Sequence, residues 1–219
     1  MLKQILAAGF FLLSSFPAAN AQQDSIAAAQ LMSAANGCIE RNQPDSARVL
    51  QQSALDIYKK LDRLDWWLNG HIAFSFGLAE VLSRPFDAEE ILKETQYRWR
   101  QPRNQQEWEQ LVRVEMYKGY FYQWFIFDYA SAVKYYEESF RLYVTQLGEH
   151  NDKIANYIYH QLGNVYTRLG DYTRGESLLR RGIEYGKKYQ KPEIGRYGDL
   201  AIILIDLGKN TAALEVIKN

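Results

Sequence analysis

The chain of 219 residues has a single cysteine, five prolines, three histidines and no excess of either charge. With only Cys38, an intramolecular disulfide is excluded in any compartment. Cys38 falls among apolar positions of a helical pattern, so a packed thiol is expected, with an intermolecular bridge as the alternative. Lys and Arg total 26 and Asp and Glu total 26. Such a balance leaves no electrostatic footprint for nucleic acid or for an anionic membrane surface. His71, His150 and His160 stand in different elements, without ligand-like spacing to one another or to Cys38. No metal site and no cofactor are therefore expected. The GxSxG, HExxH, P-loop and GxGxxG patterns are absent. Catalysis needs a nucleophile, an acid or base, or a metal cluster placed together. No residue is assigned a catalytic role, and the protein is expected not to be an enzyme. Glu89-Glu90, Glu137-Glu138 and Lys187-Lys188 read as solvated helix faces.

Long hydrophobic runs are also missing. Ile5 to Phe16 is apolar but too short to span a bilayer comfortably, and no later stretch is longer. Lys3 before it, Pro17 after it and Ala19-Asn20-Ala21 beyond have the layout of a secretory signal peptide. The expectation is a leader over residues 1–21, cleavage after Ala21, and a mature chain that is periplasmic or secreted with no membrane span. No cysteine stands directly after the apolar run, which argues against a lipid anchor.

What is abundant is helical periodicity, clearest from Tyr159 to Tyr189. Leu162, Val165, Tyr166 and Leu169 recur at offsets of three and four, and so do Tyr172, Leu178, Leu179 and Ile183. Gly170 suits the left-handed end of one helix and Asp171 the cap of the next. Gly163 and Gly175 leave room for two helices to close on each other. Tyr159, Leu162-Gly163, Tyr166, Gly170 and Tyr172 match the tetratricopeptide repeat pattern, with Gly175, Leu179 and Gly182 as small or apolar substitutes and Lys187 in place of the usual proline. The segment resembles that family. Laid along the chain, the pattern starts near 28, 69, 113, 156 and 194, at intervals of about 38 to 44 residues, against 34 for the common unit. Long repeats of this kind resemble those of kinesin light chains, and those that precede CHAT or histidine-kinase modules in signalling proteins.

The resemblance implies an all-α fold: a right-handed superhelical solenoid of about five helical hairpins over residues 22–219, the last incomplete. It also implies a concave groove lined by the first helix of each repeat. On this chain those positions give Tyr117, Phe121 and Trp124 in the third repeat, and Tyr157, His160, Asn164 and Arg168 in the fourth. Asn164 and Arg168 are one helical turn apart and can reach one ligand. Asn can pair with a peptide backbone and Arg can fork to a carboxylate, which resembles part of the carboxylate clamp of chaperone-binding members. Further basic positions of that clamp are absent, so the chaperone role is not carried over. Aromatic density from Trp108 to Phe127 exceeds what one buried stripe needs. The function expected is an exported scaffold or adaptor that binds a peptide or a partner protein in the groove. The alternative is a sensory or regulatory module, derived from a receptor ectodomain, acting through its C-terminal face or by self-association. Leu214 and Ile217 in the short fifth repeat would form that interface and would support a homo-oligomer.

Overall fold

The computed structural model describes residues 2–80, 82–148, 152–189 and 194–218, with side chains from residue 21 onward apart from 64–66, 80, 152–156 and 194. The side chains of the expected leader up to residue 20 and that of Trp66 lie outside the described residues. Every element among the described residues is helical, and two compact units make up the chain, Met1–Ile91 and Leu92–Asn219.

The first unit holds α1 (Leu2–Glu40), α2 (Pro44–Lys60), α3 (Leu64–Glu80) and the start of α4 (Pro85–Arg98). Asn42 takes a left-handed conformation (φ 57°) between α1 and α2. Asn42 N–H then donates to Ile39 O at 2.9 Å and Gln43 N–H to Cys38 O at 2.8 Å, which satisfies carbonyls that the helix end would leave open. Pro44 opens α2, where its missing N–H costs no helix bond. Ala28, Ala54, Leu55 and Tyr58 form a core between these helices, joined by Met32 and Trp67. Cys38 is a buried free thiol, as its position in an apolar stripe requires.

The second unit continues with α5 (Gln105–Phe121), a π-helical turn π1 (Tyr122–Ile126), α6 (Tyr129–Leu142), a second π-helical turn π2 (Tyr143–Leu147), α7 (Asp152–Arg168), α8 (Tyr172–Lys188), α9 (Ile194–Asp206) and α10 (Asn210–Lys218). Three hairpins, α5/α6, α7/α8 and α9/α10, pack in sequence, and α7 lies beside both α5 and α9. These are helical hairpins of tetratricopeptide type. Gly170 is left-handed (φ 80°), and the Asp171 carboxylate accepts from Arg174 N–H at 3.1 Å. A Cβ on Gly163 would stand 2.8 Å from Leu179 Cγ, so the close approach of α7 and α8 requires glycine there. In the last hairpin Leu200, Ile203, Leu204 and Ala213 join Leu179 and Ile183 in one core. Each leucine or isoleucine side chain in it contributes about 1.5–3 kcal/mol when fully buried.

Asn104 caps α5 and fixes where its faces point. Its side chain accepts from Glu107 N–H at 2.9 Å, while the Glu107 carboxylate accepts from Arg103 N–H at 2.8 Å. Asn104→Ala is expected to cost about 1 kcal/mol, read as a lower chemical-denaturation midpoint with an unchanged slope.

Candidate functional site

The site begins with a glycine. At Gly119 the aromatic ring of Tyr136, from α6, lies against the α5 backbone; a Cβ there would be 2.7 Å from Tyr136 Cδ1. That approach lets the buried Tyr136 hydroxyl donate to Gln123 Oε1 at 2.8 Å. Gln123 belongs to π1. A π-turn holds one more residue than an α-turn, so the helix face shifts here. Gln123 is turned inward at 1% exposure, while neighbouring Trp124 is 41% exposed. Phe127 ends the turn in the left-handed region (φ 61°), and Asp128 caps α6 by accepting from Ser131 N–H at 3.1 Å.

From Gln123 a polar chain crosses to the next two repeats. Gln123 Nε2 donates to Asn164 Oδ1 at 2.9 Å, and Asn164 Nδ2 donates to Asp199 Oδ2 at 2.9 Å. His160 Nε2 reaches the same carboxylate oxygen at 2.8 Å, so with Asp199 ionised it is Nε2 that carries the proton. Gly195 makes room for the His160 ring: a Cβ there would be 3.0 Å from His160 Cε1. Arg168 Nε donates to Asn164 Oδ1 at 3.0 Å. Its guanidinium stands 5.5 Å from the Trp124 ring centroid and 5.7 Å from that of Tyr129. Arg168 is therefore an exposed residue held through Nε and flanked by two aromatic rings, and its terminal nitrogens make no hydrogen bond or ion pair among the described residues.

Asp199 anchors the arrangement electrostatically. Burial pushes its carboxyl up, but hydrogen bonds from His160 and Asn164, with the nearby charge of His160 and Arg168, outweigh that and hold it below the usual range. A carboxyl depressed in the folded state contributes stability above its unfolded pKa of about 3.9, and that contribution is lost as pH falls through the folded value. Asp199→Asn should thus cost about 1–2 kcal/mol at pH 7. The gap to the unsubstituted protein should narrow below about pH 4, measured by denaturation across pH 3–7.

The expected groove residues divide into three groups. Trp124 and Arg168 are exposed, and Tyr117 and Tyr157 are half-buried, with the Tyr157 ring 6.2 Å from that of Tyr120. His160 and Asn164 are half-buried and brought together with Arg168, but their polar atoms are committed to Asp199, Gln123 and Arg168. Phe121 is a correction. It is fully buried, its ring 5.6 Å from that of Phe125, because α5 turns that position into its own hairpin, so it cannot touch a ligand. Leu214 and Ile217 on α10 are 58% and 61% exposed. Sequence reasoning missed Gln123, Asp199, Tyr120 and Tyr129. Only a phase shift within an aromatic run would have marked Gln123, and nothing in the sequence sets Asp199 apart from other helix-surface acids. Among the described residues no group of three or more His, Cys, Asp or Glu is placed to hold a metal ion, and no helix is long and apolar enough to cross a membrane.

Comparison with known proteins agrees with the helical-hairpin fold. No curated protein matches the chain. The crystal structure of BtubC (BKLC) from P. vanneervenii is similar in fold, with a TM-score of 0.56 at 14% identity, over 90% of this chain and 72% of that one. The family described as tetratricopeptide repeat matches residues 157–188, the α7/α8 hairpin that carries His160, Asn164 and Arg168.

Proposed function

We propose that this protein is an exported, non-enzymatic adaptor, with residues 1–21 as its leader and residues 22–219 as one repeat array. The layer formed by α5, α7 and α9 takes a peptide segment of a partner protein, and a carboxylate of that segment docks on Arg168. The observation that carries this reading is the state of Arg168. Its Nε is fixed by Asn164 and its plane is flanked by Trp124 and Tyr129, while its terminal nitrogens remain available. An arginine held this way loses little side-chain entropy on binding, and its fork matches a carboxylate. Exposed Trp124 and half-buried Tyr117, Tyr120 and Tyr157 offer contact area for the rest of the segment. A tetratricopeptide-type hairpin is a protein-interaction scaffold, which supports a protein partner over a small substrate.

Crosslinking capture from an envelope extract tests the reading, with the full chain as bait beside an Asn164→Ala/Arg168→Ala variant and a Leu214→Asp/Ile217→Asp variant. A partner captured by the unsubstituted chain and by the C-terminal variant, and lost with the groove variant, is expected. Equal capture by the groove variant would overturn the site.

A further inference from the structure

A second feature, independent of the groove, lies on a different face of α5. Helical spacing turns Glu115 and Lys118 away from Tyr117, Tyr120 and Trp124. There the C-terminal half of α4, α5 and α6 line an open cleft of about 690 Å³, bordered by Gln96, Glu115, Lys118, Lys134, Tyr135 and Glu138 among others. That is within the size range of small-molecule sites.

Its floor is chemically unusual. Glu115 and Lys118 are 3% and 4% exposed, yet among the described residues they form no direct ion pair. Gln96 joins them instead: its amide Nε2 donates to Glu115 Oε1, and its Oε1 accepts from Lys118 Nζ at 2.6 Å. This fixes the orientation of Gln96 and leaves capacity on both charges. Glu115 keeps a second carboxylate oxygen. Lys118 has three N–H donors, one committed to Gln96, and its Nζ sits 4.0 Å from the Tyr135 ring centroid. Tyr135 is itself stacked on Tyr122 at 5.1 Å, which holds that wall in place. On the rim, Lys134 is exposed and Glu138 is held by Arg141 at 2.6 Å. Two opposite charges taken out of water without direct pairing are costly. The cleft that both residues line is where a ligand of the complementary charges would restore the balance. Burial raises Glu115 above the usual carboxyl range, opposed by Lys118 and by the Gln96 bond, so a cation placed beside it would be welcome.

We infer that this cleft binds a small zwitterion carrying both an ammonium and a carboxylate, the chemistry shared by a free α-amino acid and a short peptide. The carboxylate meets Lys118 and Lys134, and the ammonium meets the open oxygen of Glu115.

Isothermal titration of the full chain tests this with three probe sets: the free L-amino acids, dipeptides with free ends, and N-acetylated, C-amidated amino acids. Saturable binding of at least one free amino acid or dipeptide is expected, and the blocked forms should not bind. Binding by amino acids alone would identify a metabolite site, and binding by dipeptides alone a peptide site. Lys118→Met and Glu115→Gln should each weaken it at least about tenfold. The exposed Lys134→Ala, which leaves the fold untouched, should weaken it about threefold. Arg168→Ala, in the groove, should leave it unchanged. No saturable binding by any free amino acid or dipeptide overturns the inference. So does equal binding of the blocked forms, or binding that survives both Lys134→Ala and Lys118→Met in variants with unchanged circular dichroism.

Discussion

Replacing Gly119 by alanine is expected to destabilise the protein, although alanine is the better helix former. Helix propensity alone favours alanine by about 1 kcal/mol. Against it stands a Cβ placed 2.7–2.8 Å from three ring carbons of Tyr136. That ring is fully buried and its hydroxyl is tied to Gln123, so it cannot swing aside cheaply. Overpacking of this kind costs about 1–3 kcal/mol, and a displaced hydroxyl that loses its partner costs about 1–3 kcal/mol more. The net loss should be about 2 kcal/mol or greater, a fall in Tm of roughly 4–8 °C. Tyr136→Leu in the same chain should recover part of it, because the clash is with the ring. A Gly119→Ala protein as stable as the unsubstituted one would mean that the ring does not lie on α5.

The second large effect is expected at Gln123, which no ligand can touch. Gln123→Leu keeps the volume approximately but leaves the buried Tyr136 hydroxyl without an acceptor and removes the donor to Asn164 Oδ1. The stability cost should be about 2–3 kcal/mol. Asn164 would then be free to rotate, Arg168 would lose its fixed acceptor, and binding of an acidic peptide should weaken about fivefold, since immobilising an arginine on binding costs about 0.5–1.5 kcal/mol. Circular dichroism at a temperature below unfolding should remain helical. A Gln123→Leu protein that binds peptide normally would show that the polar chain serves stability alone.

These residues also show how far the sequence could be read. The α7/α8 hairpin was legible in detail, because Gly163, Gly170 and Asp171 have local consequences: a close helix contact, a left-handed end and a cap. Among the candidate site residues, Trp124 and Arg168 are exposed at the positions that the repeat pattern assigns to a groove. The helix from Gln105 was not legible throughout, because a π-turn leaves no compositional mark and shifts every later position by one residue. Phe121 precedes that turn; its place in the repeat pattern marks it as a groove residue, and the packing of α5 on α6 within one hairpin buries it instead. Asp199 is 35 residues from Asn164 in sequence and meets it only through packing of α9 on α7. No local pattern encodes such a partner.

The central claim is that Arg168, held by Asn164 and flanked by Trp124 and Tyr129, receives a peptide carboxylate. The most direct measurement is a double-mutant cycle on one captured peptide, titrated as the free acid and with its carboxylate amidated, against the unsubstituted protein and Arg168→Ala. Amidation should weaken binding to the unsubstituted protein by about 1.5–3 kcal/mol and leave Arg168→Ala almost unaffected, the coupling of a charge-assisted hydrogen bond. Equal losses on amidation in both proteins would contradict the account and place the carboxylate elsewhere.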